Sequence, residues 1–139
     1  MRVVVDTNVW ISSLLRPSPD HAQAVAALWT STTVLYCNAV LDELIDVLRR
    51  PKIRRYISPQ NSLDLVARFT AEAEYVEVTE TVEASRDPDD NMFLALAVAG
   101  RADLIVSGDD DLLALHPFRG IAIVRPREAL ARLPRAPLT

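Results

Sequence analysis

The sequence predicts an α/β fold, a three-layer α/β/α sandwich around a mostly parallel central sheet. Four short apolar runs, rich in β-branched residues, predict strands at 2–5, 33–36, 104–107 and 121–124. Runs that are apolar at nearly every position are typical of strands buried on both faces of a parallel sheet. Helical patterns separate these runs, and alternating strands and helices predict right-handed crossovers that cover the sheet on both sides.

Helices are predicted where apolar residues recur at helical spacing. The predicted ranges are 20–29, 39–50, 58–73, 91–99 and 126–133, with a further helical pattern after Asn8. Ser58 and Pro59 are typical of an N-cap and of a first helical position. Residues 76–79 alternate apolar and polar side chains, which indicates a strand less strongly than the four apolar runs do.

Length and composition predict one domain that spans 1–139. Half of the 139 residues are apolar, which is enough for a buried core. Cys37 is the single cysteine and the two histidines lie far apart in sequence, so neither an internal disulfide nor a Cys/His zinc site is expected. The N-terminal apolar run is too short for a signal sequence, and no stretch approaches the length of a membrane span. We therefore expect a cytoplasmic protein that does not associate with membranes.

Charge is segregated along the chain. The net charge of −4 argues against a general nucleic-acid binder, because phosphate affinity normally comes from clustered lysine and arginine. One short segment nevertheless concentrates positive charge, and we call its five cations the basic segment: Arg49, Arg50, Lys52, Arg54 and Arg55. This segment is a candidate for RNA contact. The alternative is a solvated helix end, where cations interact favourably with the helix dipole.

Four acidic residues are predicted to meet at one edge of the sheet. Asp6 and Asp109 each follow an apolar strand run, and ligands bind beyond the carboxyl ends of the strands in open parallel sheets. Glu43 lies early in the helix after the second strand, and Asp90 lies at the start of the helix from 91. Carboxylates brought that close repel one another, and a hard cation resolves the repulsion. All-oxygen ligation favours Mg²⁺ or Mn²⁺, and phosphodiester hydrolysis is the chemistry that fits such an ion.

Each acid also has a purely structural interpretation. Residues 87–90 form a good helix start with Asp87 as its cap, and Glu43 alone is typical of a solvated helical acid. Residues 109–111 are typical of a polar turn, and Asp6 is suited to capping the helix that follows it. The joint placement of four carboxylates at one edge favours a site. Neutral groups beside the acids are candidates for holding them in position: Thr7, Asn8, Asn91 and Ser107.

Four segments, in this order along most of the chain, resemble the PIN-domain nucleases, and in particular the VapC-like toxins of bacterial toxin–antitoxin pairs. They are 3–9 (VVVDTNV), 41–44 (LDEL), 87–97 (DPDDNMFLALA) and 105–112 (IVSGDDDL). Each segment is common by itself, but the ordered set is more specific.

The resemblance implies an α/β/α sandwich in which the metal-binding acids are Asp6, Glu43, Asp90 and Asp109. Asp111 is a fifth candidate, either as a ligand, as a water-positioning acid or as a helix cap. The resemblance also implies RNA cleavage that leaves a 3′-hydroxyl and a 5′-phosphate, a homodimer, and a neighbouring antitoxin protein that blocks the site.

Two positions depart from the family pattern. Met92 stands where many relatives have lysine, and the loss of that lysine is expected to weaken substrate contacts. Ser107 stands where threonine is common, and the serine keeps the hydroxyl.

Other interpretations stay open from the sequence. An aspartyl-nucleophile phosphatase needs a second aspartate where this chain has Asn8, and a lysine partner, for which Lys52 is the single lysine. A DNA-directed nuclease would keep the same metal site, although the chain is short for the elements that thread a DNA flap. A non-catalytic interaction module would bind metal or a basic peptide without turnover, and metal-dependent cleavage separates it from a nuclease.

Overall fold

A computed structural model describes residues 1–16 and 18–134, and within them five strands form one sheet. The strands are β1 (Arg2–Val5), β2 (Thr33–Tyr36), β3 (Glu74–Tyr75), β4 (Leu104–Val106) and β5 (Ala122–Val124). Their order in the sheet is β3-β2-β1-β4-β5, and every neighbouring pair is parallel. The parallel sheet confirms the predicted fold class. The predicted domain 1–139 extends past the described residues at 135–139.

Helices connect the strands. They are α1 (Thr7–Leu15), α2 (Pro19–Ser31), α3 (Asn38–Arg49), α4 (Pro51–Arg54), α5 (Pro59–Glu72), α6 (Asn91–Ala99), α7 (Asp110–Leu113) and α8 (Pro126–Arg132), with a 3₁₀ turn at Pro88–Asp90. The five predicted helix ranges agree with α2, α3, α5, α6 and α8 to within two residues at either end, whereas the short α4 and α7 were not predicted. In the ranges that the structure describes, no helix combines the length and apolar character needed to cross a membrane.

Apolar side chains pack on both faces of the sheet, which produces the three layers. On β1, Val3 and Val5 belong to one core and Val4 belongs to the other, as the alternation of side chains along a strand requires. Trp10 of α1 lies in the first core against Trp29 and Phe69, with ring centroids 4.9 and 5.5 Å away. Helix α6 is buried along most of its length and supplies much of the second core.

The strand predicted at 76–79 is wrong, because the pairing lies two residues earlier. Glu74 and Tyr75 pair with Leu35 and Tyr36 at the end of β2. The N–H of Val76 still donates to the carbonyl of Tyr36 at 2.8 Å, but β2 then gives way to α3. The rest of the alternating segment therefore has no strand beside it to pair with.

The aromatic contact in the first core makes a stability prediction. We expect Phe69→Ala to lower the free energy of unfolding by about 3–5 kcal/mol, because it removes a ring that packs against both Trp10 and Trp29. Leu63→Ala on the same helix is the control, since that side chain is 64% exposed, and it should cost less than about 0.5 kcal/mol. Urea unfolding measures both, and equal losses would contradict the packing described here.

Candidate metal centre

Acidic side chains from three loops converge at the carboxyl edge of the sheet. Asp6 follows β1 directly, Asp109 follows β4 after two intervening residues, and Asp90 ends the 3₁₀ turn before α6. Carboxylate oxygens of Asp87, Asp90 and Asp109 all lie within 4.8 Å of one another. We call these three residues the acidic cluster.

Asp6 is held by hydrogen bonds to both of its carboxylate oxygens. The backbone N–H of Asn8 donates to Oδ1 at 3.1 Å, so Asp6 caps α1, and the buried hydroxyl of Ser107 donates to Oδ2 at 2.8 Å. The Ser107 hydroxyl oxygen in turn accepts from the backbone N–H of Asp109 at 3.0 Å. One hydroxyl therefore connects Asp6 to the loop that carries Asp109.

The helix after β4 orients Asp109. Its Oδ1 accepts from the backbone N–H of Asp111 at 3.0 Å, so Asp109 is the N-cap of α7. The carboxylate of Asp111 lies outside the acidic cluster and lines a cleft beside it. The capping interpretation that the sequence left open thus applies to Asp109, whereas Asp111 lies inside the helix.

The loop before α6 carries the other two acids of the cluster. Asp87 caps the 3₁₀ turn through a 3.0 Å hydrogen bond from the N–H of Asp89, and the Ser85 hydroxyl lies 3.4 Å from Oδ2 of Asp90 and donates to it. The side-chain oxygen of Asn91 accepts from the N–H of Ser85 at 2.9 Å. Asn91 therefore acts on Asp90 indirectly, by fixing the segment that carries Ser85.

Glu43 lies beside Asp6. The hydroxyl of Thr7, which is buried, donates to Oε2 of Glu43 at 3.4 Å. Burial raises the pKa of Glu43, and the negative charge of Asp6 raises it further. Glu43 therefore belongs to the same electrostatic site, although its carboxylate lies outside the acidic cluster.

Burial and mutual repulsion raise the pKa values of the inner acids. Burial is the largest cause for Asp6, where the hydrogen bonds from Asn8 and Ser107 oppose it. The pKa of Asp90 rises to about 7, through burial first, then a hydrogen bond with Asp109 and the neighbouring negative charges. Without a bound cation, the site therefore retains protons close to neutral pH.

The acidic cluster contains one residue that the sequence analysis assigned only to a cap. Asp87 lies three residues before Asp90, and the backbone N–H of Asp90 donates to the carbonyl of Asp87 at 3.0 Å, an i→i+3 hydrogen bond that brings the two residues together. Interpreting 87–90 as the start of an α-helix does not predict that these two side chains lie close together. Ser85 gave no signal in the sequence, because its contact depends on how the loop folds back on Asn91. Asn8 contributes its backbone N–H to Asp6, and its side chain is exposed.

The donor set fits a hard divalent cation. The three closest side chains are all carboxylates, and neither histidine nor cysteine belongs to this group in the described part of the chain. Oxygen-only ligands favour Mg²⁺ or Mn²⁺ over zinc. The raised pKa of Asp90 shows that full ionisation of the cluster is costly, and a bound dication would remove that cost.

The basic segment contributes no residue to the acidic cluster, and only Arg50 acts on the acids beside it. All five of its cations are exposed, at the end of α3 and through α4. Arg50 pairs with Asp46 at 3.2 Å and is near enough to Glu43 to lower its pKa slightly. Arg49 and Arg54 line a separate groove of about 440 Å³ whose surface is mostly apolar.

Metal and protons should compete for the site, which gives a pH prediction. The folded protein holds protons on Asp6, Glu43 and Asp90 that the unfolded chain releases. Their contribution to stability is therefore complete below about pH 4 and is lost as pH rises towards 7. We expect EDTA-treated protein to unfold at a lower temperature at neutral than at mildly acidic pH. Mg²⁺ or Mn²⁺ should raise the unfolding temperature more at neutral pH, and no response to either ion there would contradict a metal centre.

Removing the Ser107 hydroxyl tests how the site is positioned. Ser107→Ala removes the hydrogen bond that the hydroxyl donates to Asp6 and the one that it accepts from the N–H of Asp109. Mg²⁺ affinity should therefore fall by roughly 10- to 100-fold. Ser85→Ala is a matched substitution at a longer, 3.4 Å contact and should weaken affinity less. Calorimetric Mg²⁺ titration measures both, and a larger loss for Ser85→Ala would reverse this ranking.

The chain matches a known protein family and a relative from another organism. A family model described as the PIN domain matches residues 2–111. An uncharacterized protein of Methanocaldococcus jannaschii is 30% identical over 118 residues, which cover 84% of this chain and 76% of the relative.

Solved structures share the fold. VapBC2 from Rickettsia felis, bound to a DNA fragment from its promoter, superposes with a TM-score of 0.59 at 15% identity, over 88% of this chain and 97% of that one. VapC20 of Mycobacterium tuberculosis, a toxin that cleaves the sarcin-ricin loop, gives a TM-score of 0.57 at 18% identity, over 86% and 98%. At these identities the likeness is one of fold.

Proposed function

The chain belongs to the PIN-domain family, and from this premise we propose that it is a metal-dependent endoribonuclease that hydrolyses RNA phosphodiester bonds. The observation that carries the proposal is the acidic cluster, whose carboxylate oxygens lie within 4.8 Å of one another beside the buried Asp6. Repelling acids at this density need a cation, and a polyanionic substrate needs the same cation in order to approach them. We assign the whole chain, 1–139, to this one nuclease domain.

Each acid has a role in the proposal. Asp6, Asp90 and Asp109 are the ligands of Mg²⁺ or Mn²⁺, and we add Asp87 because it completes the cluster. When bound, the ion supplies charge neutralisation at the phosphoryl group and acidifies a water. Ser107 holds Asp6 in place and favours its ionised form, since its hydrogen bond partly opposes the effect of burial on the Asp6 pKa.

The outer acids complete the set. Glu43 lies next to Asp6, and its raised pKa suits a carboxylate that orients a water or accepts its proton as the phosphodiester is attacked. Asp111 lines the cleft beside Asp109 and is a further candidate ligand. Asp89, an exposed acid of the 3₁₀ turn, lies outside the acidic cluster, and its charge only adds to the rise of the Glu43 pKa.

The alternatives have less support. A phosphatase lacks its second aspartate at Asn8, whose side chain is exposed at the start of α1. The PIN-domain family match favours a nuclease over a non-catalytic binding module, and metal-dependent cleavage separates the two, because Ser107 would position Asp6 and the Asp109 loop for metal binding in either case. A DNA-directed nuclease is separated from a ribonuclease by its substrate alone.

We further propose that the protein is the toxin of a type II toxin–antitoxin pair, acts in the cytoplasm as a homodimer and is blocked by a cognate antitoxin. The support is the PIN-domain family match together with the VapC-like fold. A small reading frame next to the gene and a mass consistent with two chains in solution would support these assignments.

Cleavage of RNA by purified protein tests the main proposal. We expect single-stranded RNA of mixed sequence to be cut in Mg²⁺ or Mn²⁺, to be left intact in EDTA, and to yield 5′-phosphate ends. Asp109→Asn and Asp87→Asn should each lower kcat by about 100-fold or more, since even outer-shell partners of metal ligands are worth 10- to 100-fold. Gel analysis of end-labelled RNA measures the rates.

The matched control is Asp89→Asn, which makes the same chemical change in the same turn on an exposed side chain. Its rate should stay close to that of the unsubstituted protein. Cleavage that persists in EDTA, or a loss with Asp89→Asn equal to that with Asp87→Asn, would contradict the assigned centre. Cleavage of single-stranded DNA but not of RNA would show that the protein is a nuclease directed at DNA.

A further inference from the structure

A large cleft opens directly beside the acidic centre. Its volume is about 1040 Å³, and residues 108–111 line one part of it. The other part is lined by α1 and the start of α2, through residues that we call the α1–α2 wall: Asn8, Ser12, Arg16, Ser18 and His21. The cleft thus leads from a metal-binding loop to a polar surface that the proposed chemistry does not use.

The cleft is much larger than a metal ion requires. An ion with six waters fills roughly 200 Å³ at about 30 Å³ per water. The remaining volume is in the range of pockets that hold ligands of several hundred daltons. If the protein cleaves RNA, as proposed above, the nucleotides on one side of the scissile bond have space along the α1–α2 wall.

Charge distinguishes the two parts of the cleft. One part is acidic because it is lined by Asp109, Asp110 and Asp111. The nearby Arg125 forms an ion pair with Asp110 at 3.0 Å, so its charge is already neutralised. Arg16 lines the opposite part with an exposed guanidinium, and no acidic residue in the described ranges forms an ion pair with it. Arg16 is therefore the cationic side chain in this cleft that is available to bind the phosphates of a nucleic acid.

His21 fixes this wall in position. Its Nε2–H donates to the backbone carbonyl of Val9 at 3.0 Å, which ties the start of α2 to α1, and its half-buried ring remains part of the cleft surface. The N–H of His21 also donates to the Ser18 hydroxyl, which caps α2. Hydrogen bonds therefore hold the start of α2 against α1, and the backbone N–H of Arg16 itself donates to the carbonyl of Ser12 at 2.9 Å.

We propose that Arg16, on the α1–α2 wall, is a phosphate-binding subsite that holds the RNA backbone next to the bond presented to the acidic centre. The proposal rests on the nuclease function above. It assigns substrate binding to Arg16, which the sequence analysis did not single out, and it differs from the basic segment, whose Arg49 and Arg54 line a different groove. Guanidinium groups are well suited to this role because they bind phosphate in a bidentate manner.

Binding and cleavage are measured separately. In an Asp6→Asn background with Mg²⁺, the affinity for a fluorescein-labelled single-stranded RNA is followed by anisotropy between about 50 and 200 mM salt. Arg16→Ala should weaken binding on the order of tenfold and reduce the slope of log affinity against log salt by about 0.7, the value for one phosphate of a single strand. Arg16→Lys should restore the slope. In the otherwise unsubstituted protein, Arg16→Ala should raise KM and leave kcat nearly unchanged.

The matched control is Arg101→Ala, which removes an exposed arginine from the opposite edge of the sheet. It should change neither affinity nor slope, and all variants should unfold at the same temperature. The subsite is overturned if Arg16→Ala leaves the slope unchanged. If Arg54→Ala lowers the slope instead, the RNA binds at the basic segment. If the otherwise unsubstituted protein still cleaves RNA, these results reject the Arg16 subsite and leave the nuclease function intact. If that protein neither binds nor cleaves RNA, both the subsite and the nuclease function are rejected.

Discussion

Repulsion among carboxylates at the carboxyl edge of the sheet is the constraint to which the rest of this site is adapted. Asp87, Asp90 and Asp109 present oxygens within 4.8 Å of one another, next to a buried Asp6. Such a cluster is costly when fully ionised, and the rise of the Asp90 pKa to about 7 reflects that cost. A bound dication would remove that cost. The parallel sheet supplies the geometry, because β1 and β4 are neighbours and end at the same edge.

Hydrogen bonds hold the acids in the orientation that a cation needs. Ser107 has no exposed surface and bonds to both Asp6 and the Asp109 loop, so a single hydroxyl links the acids that follow two paired strands. Asp6 and Asp109 also cap α1 and α7. The structural and functional interpretations of these residues are therefore compatible, because a carboxylate oxygen that accepts one hydrogen bond keeps a second lone pair with which it can coordinate a metal.

The sequence predicted what local pattern and strand topology determine. The apolar runs located four strands, and strand ends followed by Asp6 and Asp109 located the edge of the site. The register of β3 could not be predicted, because it depends on where β2 ends beside it. Asp87 was read as a cap alone, since its place in the cluster requires the tighter 3₁₀ turn. Arg16 gave no signal, because a single arginine after α1 acquires meaning only when α1 and α2 enclose a cleft.

The most direct test of the acidic centre is the position of a bound ion. Crystals grown with Mn²⁺ and measured at the manganese absorption edge give an anomalous difference map that locates the metal without reference to activity. The account predicts a peak within direct coordination distance of Asp90 and Asp109, at about 2.0–2.2 Å, as expected for small hard dications with oxygen ligands. A fully occupied peak elsewhere, or none at the acidic cluster at neutral pH and saturating Mn²⁺, would contradict it.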